Sequence, residues 1–218
     1  VERVEIPVNS LSTSEIYSLM IDLVAPRPIA WVSTQDSEGR RNLAPFSYYQ
    51  AVCSAPPMIA LALAWRADGT MKDTLANILD TREFTVNHVS RELAEAMSLT
   101  SAELAHDRSE WEEFSIEAQP AVAVAPDRVR GALAGLECRL SHAIALGVTA
   151  KGKPSSTLVL AEVVHFFAAT ELIERKENGK IAAIDPAKLR SVGRLGGSYY
   201  AETGDRFELV RGRAKELS

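Results

Sequence analysis

Ile29-Ala30-Trp31-Val32-Ser33-Thr34 runs into the turn cluster Asp36-Ser37-Glu38-Gly39, resumes as Asn42 to Cys53, and is followed by Pro57-Met58-Ile59-Ala60-Leu61-Ala62-Leu63-Ala64. Short apolar runs bounded by Gly, Asp, Ser and Pro read as strands, so this stretch predicts the start of an antiparallel meander. Further out, Phe84-Thr85-Val86-Asn87 is another short strand, and Leu133 to Leu146 and Thr157 to Ala169 are long enough to be curved barrel strands. The polar connection Thr149-Ala150-Lys151-Gly152-Lys153-Pro154 predicts that these two form a hairpin. Pro120 to Pro126 alternates Ala and Val between prolines, which predicts an extended edge segment.

Helices are fewer. Met71, Leu75, Ile78 and Leu79 repeat at i, i+4, i+7 and i+8, and Thr70 with Asp73 has the form of a capping box, so a helix is predicted to begin at Thr70. A second is predicted over Arg91 to Leu99, with Ser90 as its N-cap and Leu93 and Met97 on one face. Strands with helices inserted between them, rather than regular strand-helix alternation, argue against a doubly wound parallel sheet. The pattern predicts a mainly β (α+β) fold, an antiparallel barrel with peripheral helices. A single boundary is drawn: one domain over residues 1–170, then a C-terminal extension over 171–218 that packs on the same domain.

The composition is that of a folded globular chain: 218 residues, 46% hydrophobic and 24% charged. A net charge of −5 without a long Lys/Arg run argues against nucleic acid. Apolar stretches stop short of the roughly 20 residues of a membrane span, and Val1-Glu2-Arg3-Val4-Glu5 lacks a signal-peptide pattern, so a cytoplasmic location without membrane contact is expected. Cys53 and Cys138 each sit in an apolar run and are expected to be buried, reduced thiols. His88, His106, His142 and His165 have no partner at metal-ligand spacing, and no acid–base pair is expected for any of them; no metal is expected.

Two segments point to chemistry. Gly69-Thr70-Met71-Lys72-Asp73-Thr74 places a Lys and two Thr at a helix start, where free N–H groups and the helix dipole favour an anion such as phosphate, and Arg66 offers a second cation. The same residues also suit a capped surface helix with a solvated Lys. Asn42-Leu43-Ala44-Pro45-Phe46-Ser47-Tyr48-Tyr49-Gln50 breaks a strand with a proline, which frees backbone groups for the rim of a planar ring while Phe46 or Tyr48 covers a face. Its alternative is a core packing role for Phe46 and Tyr49 beside an edge proline. Together the segments supply a ring-binding edge and a phosphate-binding helix start, as a mononucleotide requires.

Arg27-Pro28-Ile29-Ala30-Trp31-Val32-Ser33-Thr34, Asn42-Leu43-Ala44-Pro45-Phe46-Ser47, Lys72-Asp73-Thr74-Leu75-Ala76-Asn77-Ile78, Arg82-Glu83-Phe84-Thr85-Val86-Asn87 and Leu160-Ala161-Glu162-Val163-Val164 come in an order that resembles the flavin reductase-like, FMN-binding split-barrel family. The resemblance spans roughly residues 15 to 170. Gly193-Arg194-Leu195-Gly196-Gly197-Ser198-Tyr199-Tyr200 is similar to the C-terminal segment of the branch related to flavoredoxin. The resemblance implies a split barrel and FMN at a homodimer interface. It places the ring beside Phe46, Ser47 and Tyr48 and the phosphate near Lys72, Asp73 and Thr74. Asn42 is expected to hold the ring-binding loop, and Ser33 and Thr34 to end the strand facing it. Asp73 is expected to offer its backbone N–H, because a carboxylate beside a phosphate repels it.

One motif departs from the family. Many members that reduce free flavin carry Gly-Asp-His ahead of the last long strand, with the His associated with nicotinamide; here the stretch is Pro154-Ser155-Ser156. His165 lies nine residues further on, inside the strand, and reads as a structural histidine. Glu110-Trp111-Glu112-Glu113 reads as a solvated surface with one anchoring Trp, the alternative being a cap on a loop over the flavin. Tyr199 reads as a packing residue and Arg194 as a surface residue, the alternative being that both reach the flavin from the C-terminal segment. The leading expectation is an FMN-dependent oxidoreductase that takes hydride from NAD(P)H and passes electrons to a monooxygenase or another redox protein. The others are an FMN-bound electron carrier without a nicotinamide site, and a split barrel that has exchanged FMN for haem or another ligand.

Overall fold

The computed structural model describes residues 1–204 together with Phe207 and Leu209; the remainder of the predicted 171–218 extension lies outside the described residues. In chain order the strands are β1 (Arg27–Pro28), β2 (Ala30–Gln35), β3 (Arg41–Phe46), β4 (Tyr49–Ser54), β5 (Pro57–Ala64), β6 (Glu83–Asn87), β7 (Ala118–Gln119), β8 (Arg128–Val129), β9 (Ala134–Leu146), β10 (Ser156–Ala168), β11 (Val192–Arg194) and β12 (Tyr200–Glu202). The helices are α1 (Thr13–Leu23), α2 (Asp73–Thr81), α3 (Ala94–Leu99), α4 (Glu110–Glu113) and α5 (Pro186–Leu189). No described helix is long and apolar enough to cross a membrane.

Seven strands form one antiparallel sheet in the order β3-β2-β6-β9-β10-β5-β4. Residues alternate faces along a strand. Ala30 and Val32, Leu61 and Leu63, Phe84 and Val86, Cys138 and Leu140, and Val159 and Ala161 therefore meet in one core. The opposite faces of β2 and β3 send Trp31 and Leu43 into a second core with Met97, Trp111, Val129 and Val192.

The turn clusters do give the hairpins β2–β3 and β4–β5, but the expected meander is not continuous. β3 and β4 stand at opposite ends of the strand order and do not pair. Pro45 lies in β3 opposite Trp31, where an end strand tolerates a missing N–H. The chain leaves the sheet at Ser47 and Tyr48 and crosses to the other end, where the Tyr48 carbonyl accepts the Ala62 N–H at 2.9 Å. This crossing is the seam of a split barrel. The hairpin of β9 and β10 is as expected, and two register shifts let these 13-residue strands curve.

Local chemistry corrects several details. Helix α2 begins at Asp73, not Thr70, because Asp68 captures Thr70: its Oδ1 accepts the Thr70 N–H at 2.8 Å and hydroxyl at 2.7 Å. The predicted second helix is a 3-10 turn over Arg91–Leu93 continuing into α3, with Met97 buried as expected. Residues 120–126 form a bent loop, not an extended edge; Glu137 gathers the N–H groups of Val122 and Ala123 and draws the chain inward. Cys138 is buried, but Cys53 is exposed because β4 is an end strand whose residues 50–54 are all exposed. Helix α1 carries a capping box between Ser12 and Glu15 that the apolar periodicity did not reveal.

Helix α2 closes one mouth of the barrel with Leu75 and Ile78 in the core. At the other mouth, β11 pairs with β1 and β12, and Val192 is buried against Ile29 and Val89.

Candidate functional site

The groove beside α2 is built from three pieces of chain: β3, the turn and helix start over 66–74, and the loop over 100–108. Its walls include Asn42, Phe46, Arg66, Lys72, Asp73 and Thr74, so six of the sequence-predicted residues share one surface. The Lys72 ammonium lies over the Phe46 ring, 5.9 Å from its centroid. Lys72 is the N-cap, yet no side chain caps the helix, so the first N–H groups of α2 remain free of intrahelical acceptors. The helix start is thus an open donor set with a cation beside it, which is chemistry suited to an anion.

A polar chain runs from the groove wall inward to the buried Thr34. Asn42 Nδ2 donates to Thr74 Oγ1 at 2.8 Å and to Thr34 Oγ1 at 3.4 Å, and Asn77 Nδ2 donates to Thr34 Oγ1 at 3.1 Å. Thr34 is fully buried, so its side chain supports Asn42 rather than lining the groove. Ser33 is buried on the opposite face of β2. Ser47 and Tyr48 lie along the seam outside the groove lining: Ser47 Oγ accepts from Arg27 Nε at 3.4 Å, and Tyr48 is 43% exposed.

Asp73 commits its carboxylate to two partners, Arg66 Nη2 at 2.6 Å and His106 Nδ1 at 2.7 Å. Partial burial works the other way, but the hydrogen bonds from His106 and Arg66 hold this carboxyl below its usual range. The His106 contact corrects the expectation that no histidine has an acidic partner. Its signal was invisible in sequence because a 33-residue separation lies between the start of α2 and the loop that carries His106. Glu110 is a second correction. Burial pushes its carboxyl up, and it accepts the Leu43 N–H at 2.9 Å, so the Glu110-Trp111-Glu112-Glu113 stretch is solvated only at its last two residues. Glu112 and Glu113 instead pair with Arg41 and Arg108.

A second cavity, of about 650 Å³, opens at the other barrel mouth between Tyr49, Leu136, Phe166 and Phe167 and the C-terminal residues Ile181 and Val192. Burial pushes the Tyr49 phenol up to about 12, with Cys138 adding a smaller push, so it faces this cavity uncharged. Tyr199 is 73% exposed, against the expected packing role, because the turn before β12 carries it outward; Arg194 stacks on Tyr200 at 4.5 Å instead. Among the described residues no group of three or more His, Cys, Asp or Glu side chains converges as a metal site would.

Residues 24–182 match the family described as flavin reductase like domain. The fold superimposes on nitrilotriacetate monooxygenase component B from Bacillus cereus with a TM-score of 0.88 and 32% identity, covering 96% of this chain and 100% of that one. It is similar to 2-nitrobenzoate 2-nitroreductase of Pseudomonas fluorescens, with a TM-score of 0.80 and 28% identity over 97% of this chain and 98% of that one. It shares its fold with flavoredoxin of Desulfovibrio vulgaris, with a TM-score of 0.71 and 19% identity over 88% of this chain and 94% of that one.

Proposed function

The chain belongs to the flavin reductase-like domain family, and on that premise we propose that it holds FMN between the α2 groove and the seam and works as an FMN-dependent oxidoreductase. The observation that carries this reading is the joining of Phe46 and Lys72 across one groove, with an uncapped helix start below them. Lys72, the Thr74 hydroxyl and the free N–H groups of α2 suit the phosphate, with Arg66 holding Asp73 aside. Phe46 suits one end of the ring. At Ser47 no backbone hydrogen bond to another described residue occupies the N–H or C=O, which leaves both for the polar rim of the ring, beside Tyr48. Ser33, Thr34 and Asn42 act from behind, fixing β3 and Thr74.

Bound FMN supplies the capacity to accept a hydride and release electrons singly or in pairs. The protein's share is to bind, orient and shield, which is why no catalytic side chain is assigned. The apolar cavity that starts at Tyr49 and Arg27 gives room for a planar donor or acceptor next to the seam. NAD(P)H is the proposed donor, and a monooxygenase or another redox protein the proposed acceptor; the neighbour from Bacillus cereus is a monooxygenase component. We also propose a homodimer with FMN at the interface. The exposed apolar residues Tyr48 and Val52 beside and on the end strand β4, and Ile144 and Leu146 on β9, suit burial against a second copy.

A second reading, an FMN-bound electron carrier reduced by a protein, is favoured by the β9–β10 connection. Pro154-Ser155-Ser156 carries no imidazole, and the histidine that lines the groove, His106, is engaged by Asp73. The test is a visible spectrum of the purified protein followed by NADH and NADPH oxidation with added FMN. Turnover above that of free flavin supports the reductase. Retained FMN without turnover supports the carrier, and no flavin affinity at all overturns both.

A further inference from the structure

Arg27 opens the sequence motif Arg27-Pro28-Ile29, and the proposed function gives it no part beyond lining the second cavity. It is 5% exposed, a depth at which arginine is normally paired with an acid. Here no described carboxylate pairs with it. Of the five N–H groups of a guanidinium, four are used: Nη1 donates to the carbonyls of Ile21 and Val24, the latter at 2.8 Å, Nη2 to the Leu195 carbonyl at 3.1 Å, and Nε to Ser47 Oγ at 3.4 Å. Three acceptors are carbonyl dipoles, two of them at the C-terminal end of α1, where a cation is favoured. They satisfy the donors but leave the positive charge uncancelled. The fourth is the hydroxyl of the seam residue beside which the ring is proposed to lie.

We propose that Arg27 is a positioning residue whose buried charge, delivered through Ser47, favours the reduced ring over the oxidised one. This rests on the reading that the ring lies along Phe46, Ser47 and Tyr48. A two-electron donor that delivers a hydride, two electrons and one proton, leaves the ring with one extra negative charge. A cation without a carboxylate partner, shielded from water, stabilises that charge and does little for the neutral oxidised ring. A purely structural Arg27 would tie α1, the seam and the residues before β12 together without distinguishing the two redox states.

The test measures FMN affinity of the oxidised protein by titration and the midpoint potential of the bound flavin by spectroelectrochemical titration with dithionite. Arg27→Gln is expected to weaken reduced FMN at least tenfold more than oxidised FMN, a fall of about 30 mV for a two-electron couple. Arg27→Lys keeps the charge but not the Nε donor to Ser47, and should lose no more of the ratio than Ser47→Ala does, well short of Arg27→Gln, although it melts at a lower temperature. Ser47→Ala leaves the three carbonyl contacts intact and should move the ratio the same way, at least threefold; it carries the test if Arg27→Gln does not fold. Equal weakening of both redox states in Arg27→Gln, or an unchanged potential in both Arg27→Gln and Ser47→Ala, overturns the inference while leaving FMN binding in place. Failure of the wild-type protein to bind FMN would appear first and would overturn the function reading itself.

Discussion

The ammonium of Lys72 stands 5.9 Å from the centroid of the Phe46 ring, which makes a broken strand edge and a helix start two walls of one groove. The relationship is enforced from below. Asn42 on β3 donates to Thr74 on α2 at 2.8 Å, so separating the two elements breaks a part-buried amide–hydroxyl bond.

Lys72→Met should weaken FMN binding by about 10- to 100-fold, since a hydrogen bond to a charged group contributes about 1.5–3 kcal/mol. Wild-type affinity should fall with added salt more steeply than that of the variant, because the lost interaction is between charges. Flavin fluorescence titrations at two ionic strengths check this. An unchanged affinity would move the phosphate away from α2.

Thr34→Val should destabilise the protein by about 1–3 kcal/mol with little direct effect on flavin contacts. Its hydroxyl accepts from Asn42 and Asn77, and the substitution takes this acceptor from the buried Asn77 amide at nearly constant volume, while Asn42 keeps its bond to Thr74. Urea unfolding with an unchanged m-value is the measurement, and a loss below a few tenths of a kcal/mol would count against the network.

Period-2 and period-3.6 patterns carried most of the fold. The long strands, the hairpin between them and the apolar face of α2 are local in sequence, and local physics sets them. What stayed hidden depends on long-range choices. Nothing local tells β3 that it will stand at the far end of the sheet from β4, or tells Asp73 that a loop will bring His106 to it. Thr70 misled for a related reason: Asp68 and Asp73 both offered it a turn, and the nearer competitor took the hydroxyl. The exposed Cys53 has the same origin, an apolar run read without knowing that its strand ends the sheet.

His88 should govern part of the acid stability. Burial lowers its pKa from 6.5 to about 4, and its Nε2 bonds Ser191 Oγ at 2.7 Å while Nδ1 has no partner. Between pH 6.5 and 4 the unfolded chain therefore binds a proton that the folded protein refuses. Stability rises with pH across this window and is lost as pH falls through it, by on the order of 3 kcal/mol. Chemical denaturation at several pH values should show this slope in the wild type and a flatter one in His88→Gln.

Gly135→Ala tests how tightly β9 closes on its neighbours. A Cβ there would collide with the Val86 carbonyl oxygen and the Phe167 ring, and a backbone oxygen in a sheet has little room to yield. Overpacking of this kind typically costs about 1–3 kcal/mol, and the backbone clash puts the variant at the upper end of that range. A melting temperature within a degree of the wild type would show that the strands spread more easily than their pairing implies.

Arg128 and Glu137 form the most deeply buried ion pair among the described residues, with the glutamate fully buried and the guanidinium stacked 4.3 Å over Phe167. The carboxylate also gathers the N–H groups of Val122 and Ala123, so it organises the loop before β8 as well as the pair. Removing the cation alone, in Arg128→Ala, leaves a buried charge without its counterion and should cost about 3–5 kcal/mol. Replacing both partners, with Arg128→Met and Glu137→Gln, should recover part of that loss, since the amide still accepts from the loop and no charge remains to desolvate. A double-mutant cycle by urea denaturation separates the two effects. If the double variant is as unstable as the sum of the singles, the carboxylate's hold on the loop rather than the ion pair is what keeps β8 against β6.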